Sequence, residues 1–310
     1  MRGYEDRANF IKSLTGGHRL VLDFLIEEVL DQQTEKIQDF LLRTSVLKRL
    51  NGSLCDELTD QNDGQATLEF LERANLFIIP LDDERHWYRY HHLFADLLHQ
   101  RLISYKNGGV NALHAKAAVW YETHGDLSEA VHHALAGKDS KSATRLIEKG
   151  ALAALENSNF RFILDSVERL PESILQNSPW LFIYHAWALL LTGHVEAANP
   201  KLENIDRLLD SISENDEIQH REVLGNIAGL KMISAGWKRD HENMPEYANQ
   251  VRQYLPENNW IRAYCAMIMG GFYWGNGNLE AAIDAFAESS SAGETSGNKM
   301  VAVSGACNHA

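Results

Sequence analysis

Gly125-Asp126-Leu127-Ser128-Glu129-Ala130 returns as Gly193-His194-Val195-Glu196-Ala197-Ala198 and again as Gly277-Asn278-Leu279-Glu280-Ala281-Ala282. Weaker copies begin at Asn159 and Asn243, so the five starts lie 34, 34, 50 and 34 residues apart. Gly193 ends one apolar helical run and Val195 opens the next, and the same alternation continues through each unit.

Repeated helix pairs of about 34 residues are the signature of the tetratricopeptide repeat. That unit places a small residue seven before the turn, a Tyr four before it, an Ala five after it and a bulky residue nine after it. Gly270, Tyr273, Ala282 and Phe286 fill all four positions in the last copy. Gly236, Tyr121, Ala130, Ala198 and Ala248 fill single positions elsewhere. Small residues there let two helices approach closely. The copy at Asn159 keeps only the length and the helical content. The 50-residue interval is read as a longer second helix, Val195 to Ile212, followed by a loop over the polar stretch Ser213 to Glu217.

Composition narrows the function classes. The chain has 310 residues, 45% of them hydrophobic, which supplies ample core. Its formal charge is −14, and both the part before residue 106 and the part after it are acidic. Nucleic-acid affinity rests largely on Lys and Arg neutralising phosphates, so direct nucleic-acid binding by this chain is not expected. Cys55, Cys265 and Cys307 are few and far apart, which fits free thiols in a reducing compartment. Leu181 to Leu191 is too short for a membrane span, and the N-terminus has no secretory apolar region. A cytoplasmic protein without membrane contact is the expectation.

The first third reads differently. His18 to Leu30 carries Leu20, Val21, Phe24, Leu25 and Val29 on one helical face. Short helical patterns follow around Phe40-Leu41-Leu42, Leu54 to Leu58 and Ala66 to Leu76. Phe77 to Leu81 and Trp87 to Tyr90 alternate as strands around the turn Asp82 to Arg85, and Leu93 to Leu102 is a closing helix. Three helices, a hairpin and a further helix predict a winged-helix domain over residues 37–105. Lys106-Asn107-Gly108-Gly109 reads as a joint. The expected fold is mainly α: a winged helix followed by a tetratricopeptide-like α-α superhelix over residues 106–310.

Several of these stretches resemble MalT-like regulators of the LuxR type: Gly17 to Leu30, Phe40-Leu41-Leu42-Arg43-Thr44-Ser45, Leu54-Cys55-Asp56 and Tyr88-Arg89-Tyr90-His91-His92-Leu93-Phe94. The resemblance implies an ATPase module before the winged helix, of which residues 1–36 would be the helical tail. It also implies a repeat region that senses an inducer, and a DNA-binding helix-turn-helix beyond the repeats. No Gly-x-x-x-x-Gly-Lys-[Ser/Thr] loop is present, so ATP or ADP is expected only with that missing module and no cofactor within this chain. Ala310 falls inside the start of another repeat helix, so the sequence is expected to be a piece of a longer regulator. The implied function is its regulatory and sensor core, coupling an inducer or partner protein to nucleotide state, with self-association as part of the switch. The alternative is a free-standing repeat adaptor for proteins.

Candidate residues follow from both lines of reasoning. The resemblance extends to a wider class of signal-transducing ATPases, in which a winged-helix His meets the β-phosphate of ADP. Tyr90-His91-His92-Leu93 resembles that motif, which gives His91 a nucleotide-sensing role in the full-length protein, although His92 stands where Asp is usual. Repeat register puts Trp180, Trp187, Leu190, Trp237, Asp240, Tyr264, Met267 and Trp274 on a concave groove. Aromatic faces with a few polar groups suit a small organic ligand, a sugar or a peptide. His86, His91, His92 and His99 match no closed metal-ligand spacing. No Gly-x-Ser-x-Gly elbow or ordered Ser, His and Asp set appears, so neither catalytic residues nor a metal site are expected.

Overall fold

The computed structural model describes residues 29–105, 109–176, 178–203, 205 and 217–309. The chain divides into two compact units, Met1–Ala143 and Thr144–Ala310. Of the helix expected over His18–Leu30 only Val29 and Leu30 are described. The expected loop after Ile212 and most of the joint before Gly109 also lie outside the described residues.

The first unit contains α1 (Glu35–Thr44), α2 (Gly52–Thr59), α3 (Gly64–Arg73), the strands β1 (Ile78–Pro80) and β2 (Tyr88–Tyr90), and α4 (His92–Tyr105). It also contains α5 (Gly109–Thr123) and α6 (Leu127–Ala136). Thr34 and Asn51 cap α1 and α2 by accepting the backbone N–H of Ile37 and Leu54. The strands are antiparallel, with Ile78 opposite Tyr90 and Pro80 opposite Tyr88, and Leu50 forms an isolated bridge to Tyr88. Asp82 tightens the hairpin by accepting from the N–H groups of His86 and Trp87 at 2.8 and 2.9 Å. Alternation decides the burial: Tyr88 and Tyr90 are buried while Arg89 between them is exposed. The Tyr90 hydroxyl lies 2.7 Å from Thr44 Oγ1 on α1, so the wing is tied to the helical core by a buried polar contact. The first repeat hairpin joins this core, because Lys116 of α5 pairs with Asp60 and donates to the Glu57 carbonyl at the end of α2.

The helix α7 (Ser140–Glu156) runs across the division between the units. The second unit continues with α8 (Phe160–Val167), α9 (Glu172–Gln176), α10 (Pro179–Leu191) and α11 (Val195–Glu203). It ends with α12 (Glu217–Lys238), α13 (Met244–Tyr254), α14 (Trp260–Gly275), α15 (Leu279–Ser296) and α16 (Lys299–His309).

One local device recurs at the helix ends. Gly125, Gly193 and Gly277 have φ near +80°, and each is followed by a residue whose N–H reaches back five positions to Tyr121, Leu189 or Tyr273. This is the Schellman arrangement, which a glycine adopts without a Cβ penalty. Ser158, Arg239 and Lys138 take the same left-handed conformation, with Asn159, Asp240 and Asp139 bonding back to Ala154, Ala235 and Ala134. The weak copies are therefore displaced from the expected register. Their turns fall at Ser158 and Arg239, and extra residues separate Arg239 from α13, which Asn243 precedes.

Close packing depends on glycine where the sequence pattern led us to look and where it did not. A Cβ at Gly270 would sit 2.5 Å from the Phe286 ring, so this small position does let α14 and α15 meet. Gly236 has room to spare, with its nearest neighbour, Met244, at 3.8 Å. Gly225 and Gly229 do that work on α12: a Cβ at Gly225 would run into Leu255, and one at Gly229 would sit 2.8 and 2.9 Å from Ile261 and Trp187.

Candidate functional site

A cleft of about 560 Å³ opens in the second unit. It lies where the N-terminal turns of three repeat helices converge beside α7. Trp180 and Tyr184 come from the first two turns of α10, Ile218 and Glu222 from the start of α12, and Trp260 from the first turn of α14, with Glu148 contributed by α7. Local sequence fixes each start. Pro179 occupies the first turn of α10, where its missing N–H costs nothing, and Asn259 caps α14 by accepting the N–H of Ile261 at 2.9 Å.

The aromatic residues form two layers. Trp180 and Tyr184 stack with ring centroids 5.6 Å apart, are half-buried and line the cleft. Trp187, one helical turn deeper, is fully buried, donates its indole N–H to Asn226 Oδ1 at 2.9 Å and meets Trp260 edge to face at 5.0 Å. It supports the wall from behind and does not line the cleft.

Glu148 and Glu222 line the cleft, and among the described lining residues there is no Lys, Arg or His. Burial alone pushes the Glu148 carboxyl above its usual value. Burial also pushes the Tyr184 hydroxyl up to about 12, with Glu148, Glu222 and Glu156 adding to the effect. Glu288 in the same unit is the counterexample. Arg252 Nη2 approaches it at 2.7 Å and Arg262 Nε at 3.2 Å, and against the opposing effect of burial these two guanidinium groups hold its carboxyl low. Glu288 has its counter-charges built in, whereas the described lining around Glu148 supplies none.

Of the expected groove residues, Trp180 borders the cleft and the others are distributed elsewhere. Trp187 is corrected to a core residue. Trp237 and Asp240 were counted from Asn243, but the turn is at Arg239. Trp237 therefore falls in the last turn of α12, 56% exposed, and Asp240 within the turn, its N–H bonded to the Ala235 carbonyl. Leu190 is buried. Tyr264 packs against the small cluster of Ala263, Ala292 and Val301, and Trp274 is 64% exposed at the end of α14. Sequence reasoning missed Tyr184, Trp260, Glu148 and Glu222. The usable signal was a shared position: Trp180 and Trp260 both follow a helix start marked by Ser178-Pro179 or Asn259.

In the first unit His91 is fixed by its backbone. Its N–H donates to the Phe77 carbonyl at 2.7 Å and its carbonyl accepts from Ala95 at the start of α4. The half-buried ring lies edge-on to Phe77 and 4.4 Å from the ring of His92. Deeper in this unit His114 and His133 share a hydrogen bond between their Nδ1 atoms at 2.8 Å. Burial lowers both, to about 4 and about 3, so both are neutral at physiological pH. His133 Nε2 is buried and unpartnered. A bare ring nitrogen there costs less than a stranded N–H, so the proton belongs on His133 Nδ1, donated to His114.

Comparison with known proteins agrees with this architecture. Residues 26–108 match the family model described as the MalT winged helix domain. The HTH-type transcriptional regulator MalT of Yersinia pestis is 31% identical over 263 residues, covering 84% of this chain and 29% of the regulator. The serine/threonine-protein kinase PknK of Mycobacterium tuberculosis is 34% identical over 209 residues, covering 67% of this chain and 19% of the kinase. The chain thus spans less than a third of either relative. Among solved structures, a signal transduction ATPase with numerous domains and a tetratricopeptide repeat sensor, from Pyrococcus horikoshii, superposes with a TM-score of 0.57. That match covers 92% of this chain and 48% of the other at 14% identity, a likeness of fold. No helix among the described residues is long and apolar enough to cross a membrane.

Proposed function

We propose that this MalT-like chain, a winged helix leading into helical repeats, is the sensor core of a transcriptional regulator that receives its signal in the cleft beside Trp180 and Tyr184. The observation that carries the reading is the cleft itself: a concave site with two half-buried aromatic rings and a desolvated carboxylate, set in the repeats. The MalT similarity extends across 84% of the chain, which supports treating the winged helix and the repeats as parts of one signalling segment. A ligand in the cleft would bridge three separate helices. It would therefore favour one arrangement of the repeats only to the extent that it binds that arrangement more tightly.

Nucleotide coupling belongs to an ATPase module outside this chain, with His91 as the winged-helix residue that would report its state. The chain itself is read as non-catalytic. Burial supports this for two of its three cysteines: it pushes the thiols of Cys55 and Cys265 up, Cys265 to about 12, which disfavours the thiolate that nucleophilic chemistry needs. A protein-binding adaptor is the second reading, favoured by the exposed side chains of Trp274, Leu279 and Ile283 around the turn between α14 and α15.

The test is made in the intact regulator. Trp180→Ala and Tyr184→Ala are expected to abolish inducer-dependent transcription while leaving the thermal midpoint close to wild type. An unchanged inducer response in both variants would overturn the reading.

A further inference from the structure

We propose that the ligand of this cleft is a small organic cation, an alkylammonium or guanidinium compound seated against the Trp180 and Tyr184 rings with Glu148 as its counter-charge. The inference rests on the sensor reading above and specifies the chemistry that the cleft would recognise.

Three observations converge on a positive charge. First, the lining carries Glu148 and Glu222, and no basic side chain stands among the described lining residues. Second, burial raises the Glu148 carboxyl with no basic residue among the described lining of its cleft, while the partly buried Glu288 receives two guanidinium groups. A partly buried carboxylate of the first kind is a cost to the empty protein that a bound cation removes. Third, the stacked pair of Trp180 and Tyr184 lines the same cleft, and the negative quadrupole of an aromatic face attracts a cation, the more so in a desolvated site. The N-termini of α10, α12 and α14 each oppose a cation with a partial positive charge of about half a unit. Together they amount to less than the two formal carboxylate charges, and Asn259 already occupies one of the N–H groups of α14. Size agrees, because about 560 Å³ lies within the usual range for small-molecule sites and leaves little room for a folded partner.

The experiment titrates the purified chain with agmatine, choline and spermidine, and in parallel with neutral sugars and a dicarboxylate, following intrinsic tryptophan fluorescence and confirming each hit by calorimetry. At least one amine is expected to bind saturably. Glu148→Gln, which keeps the side chain's size and removes its charge, is expected to weaken that amine at least tenfold at an unchanged thermal midpoint. Arg262→Ala, which disturbs the paired carboxylate instead, should leave the affinity unaltered. A neutral sugar that saturates the cleft equally in wild type and Glu148→Gln would overturn the cation reading and leave the sensor reading standing. Failure of all three amines to bind saturably at millimolar concentration would overturn it as well.

Discussion

The winged helix and the repeat cleft are built from similar side chains put to different use. In the first, Tyr90 is committed to Thr44 and His91 is pinned by its own backbone, and in the adjoining hairpin of α5 and α6 His114 and His133 share one hydrogen bond. In the cleft, Trp180 and Tyr184 stay partly exposed, and burial raises Glu148 with no basic residue among the described lining. Trp187 is the exception that defines the rule: it shares a helix with Trp180 but is wholly consumed by packing and by its bond to Asn226. Buried polar groups that are paired hold a fold in one arrangement, and desolvated ones without a partner mark where a ligand can add stability.

The sharpest break in this contrast is expected within α10. Trp187→Ala should cost about 3–5 kcal/mol, the usual range for removing a large buried aromatic, and lower the thermal midpoint accordingly. Trp180→Ala should cost less, about 1 kcal/mol by the same measurement, because its ring is only partly buried. Equal losses at both positions would erase the distinction between wall and support.

The next effect is read through pH. His114 and His133 titrate near 4 and 3 when folded, below the ordinary imidazole value of 6.5. The unfolded chain therefore takes up protons first as pH falls. The stability these residues provide is complete above about pH 6.5 and is lost as pH drops toward 4, by about 1.4 kcal/mol per pH unit for each imidazole. His185 in the second unit, lowered to about 4 chiefly by burial, follows the same sign. Denaturant unfolding between pH 7 and 5 is expected to show the loss, and His133→Phe should flatten it. A slope unchanged in that variant would mean that the pair is not a buried neutral one.

The smallest effect concerns the turns. Arg239→Gly is expected to stabilise the chain by about 0.5–1 kcal/mol, since Arg239 holds a left-handed conformation that glycine adopts freely, and Gly193→Ala should destabilise it by a similar amount. Denaturant midpoints measure both. The same sign at the two sites would contradict the shared turn geometry.

These turns also explain what could be read from the sequence. Gly125, Gly193 and Gly277 announce a left-handed residue, so their units were legible. Ser158 and Arg239 occupy the same conformation without the glycine that signals it, and the register slid to Asn159 and Asn243. That slip carried Trp237 and Asp240 into the expected groove. The winged helix was read with fewer errors, because alternation at Tyr88-Arg89-Tyr90 and the short polar turns leave little freedom of register. The cleft was largely illegible for a different reason. Its residues share a level in the stack rather than a spacing in the chain, and nothing in the sequence says that Glu148 approaches Trp180 and Glu222.

Hydrogen exchange of the chain with and without a saturating cleft ligand tests the central claim most directly. Signal reception at the cleft predicts added protection concentrated in the N-terminal turns of α10, α12 and α14, and along α7 near Glu148. Protection confined to the winged helix, or to the exposed surface around Trp274 and Leu279 with the cleft unaffected, would contradict it.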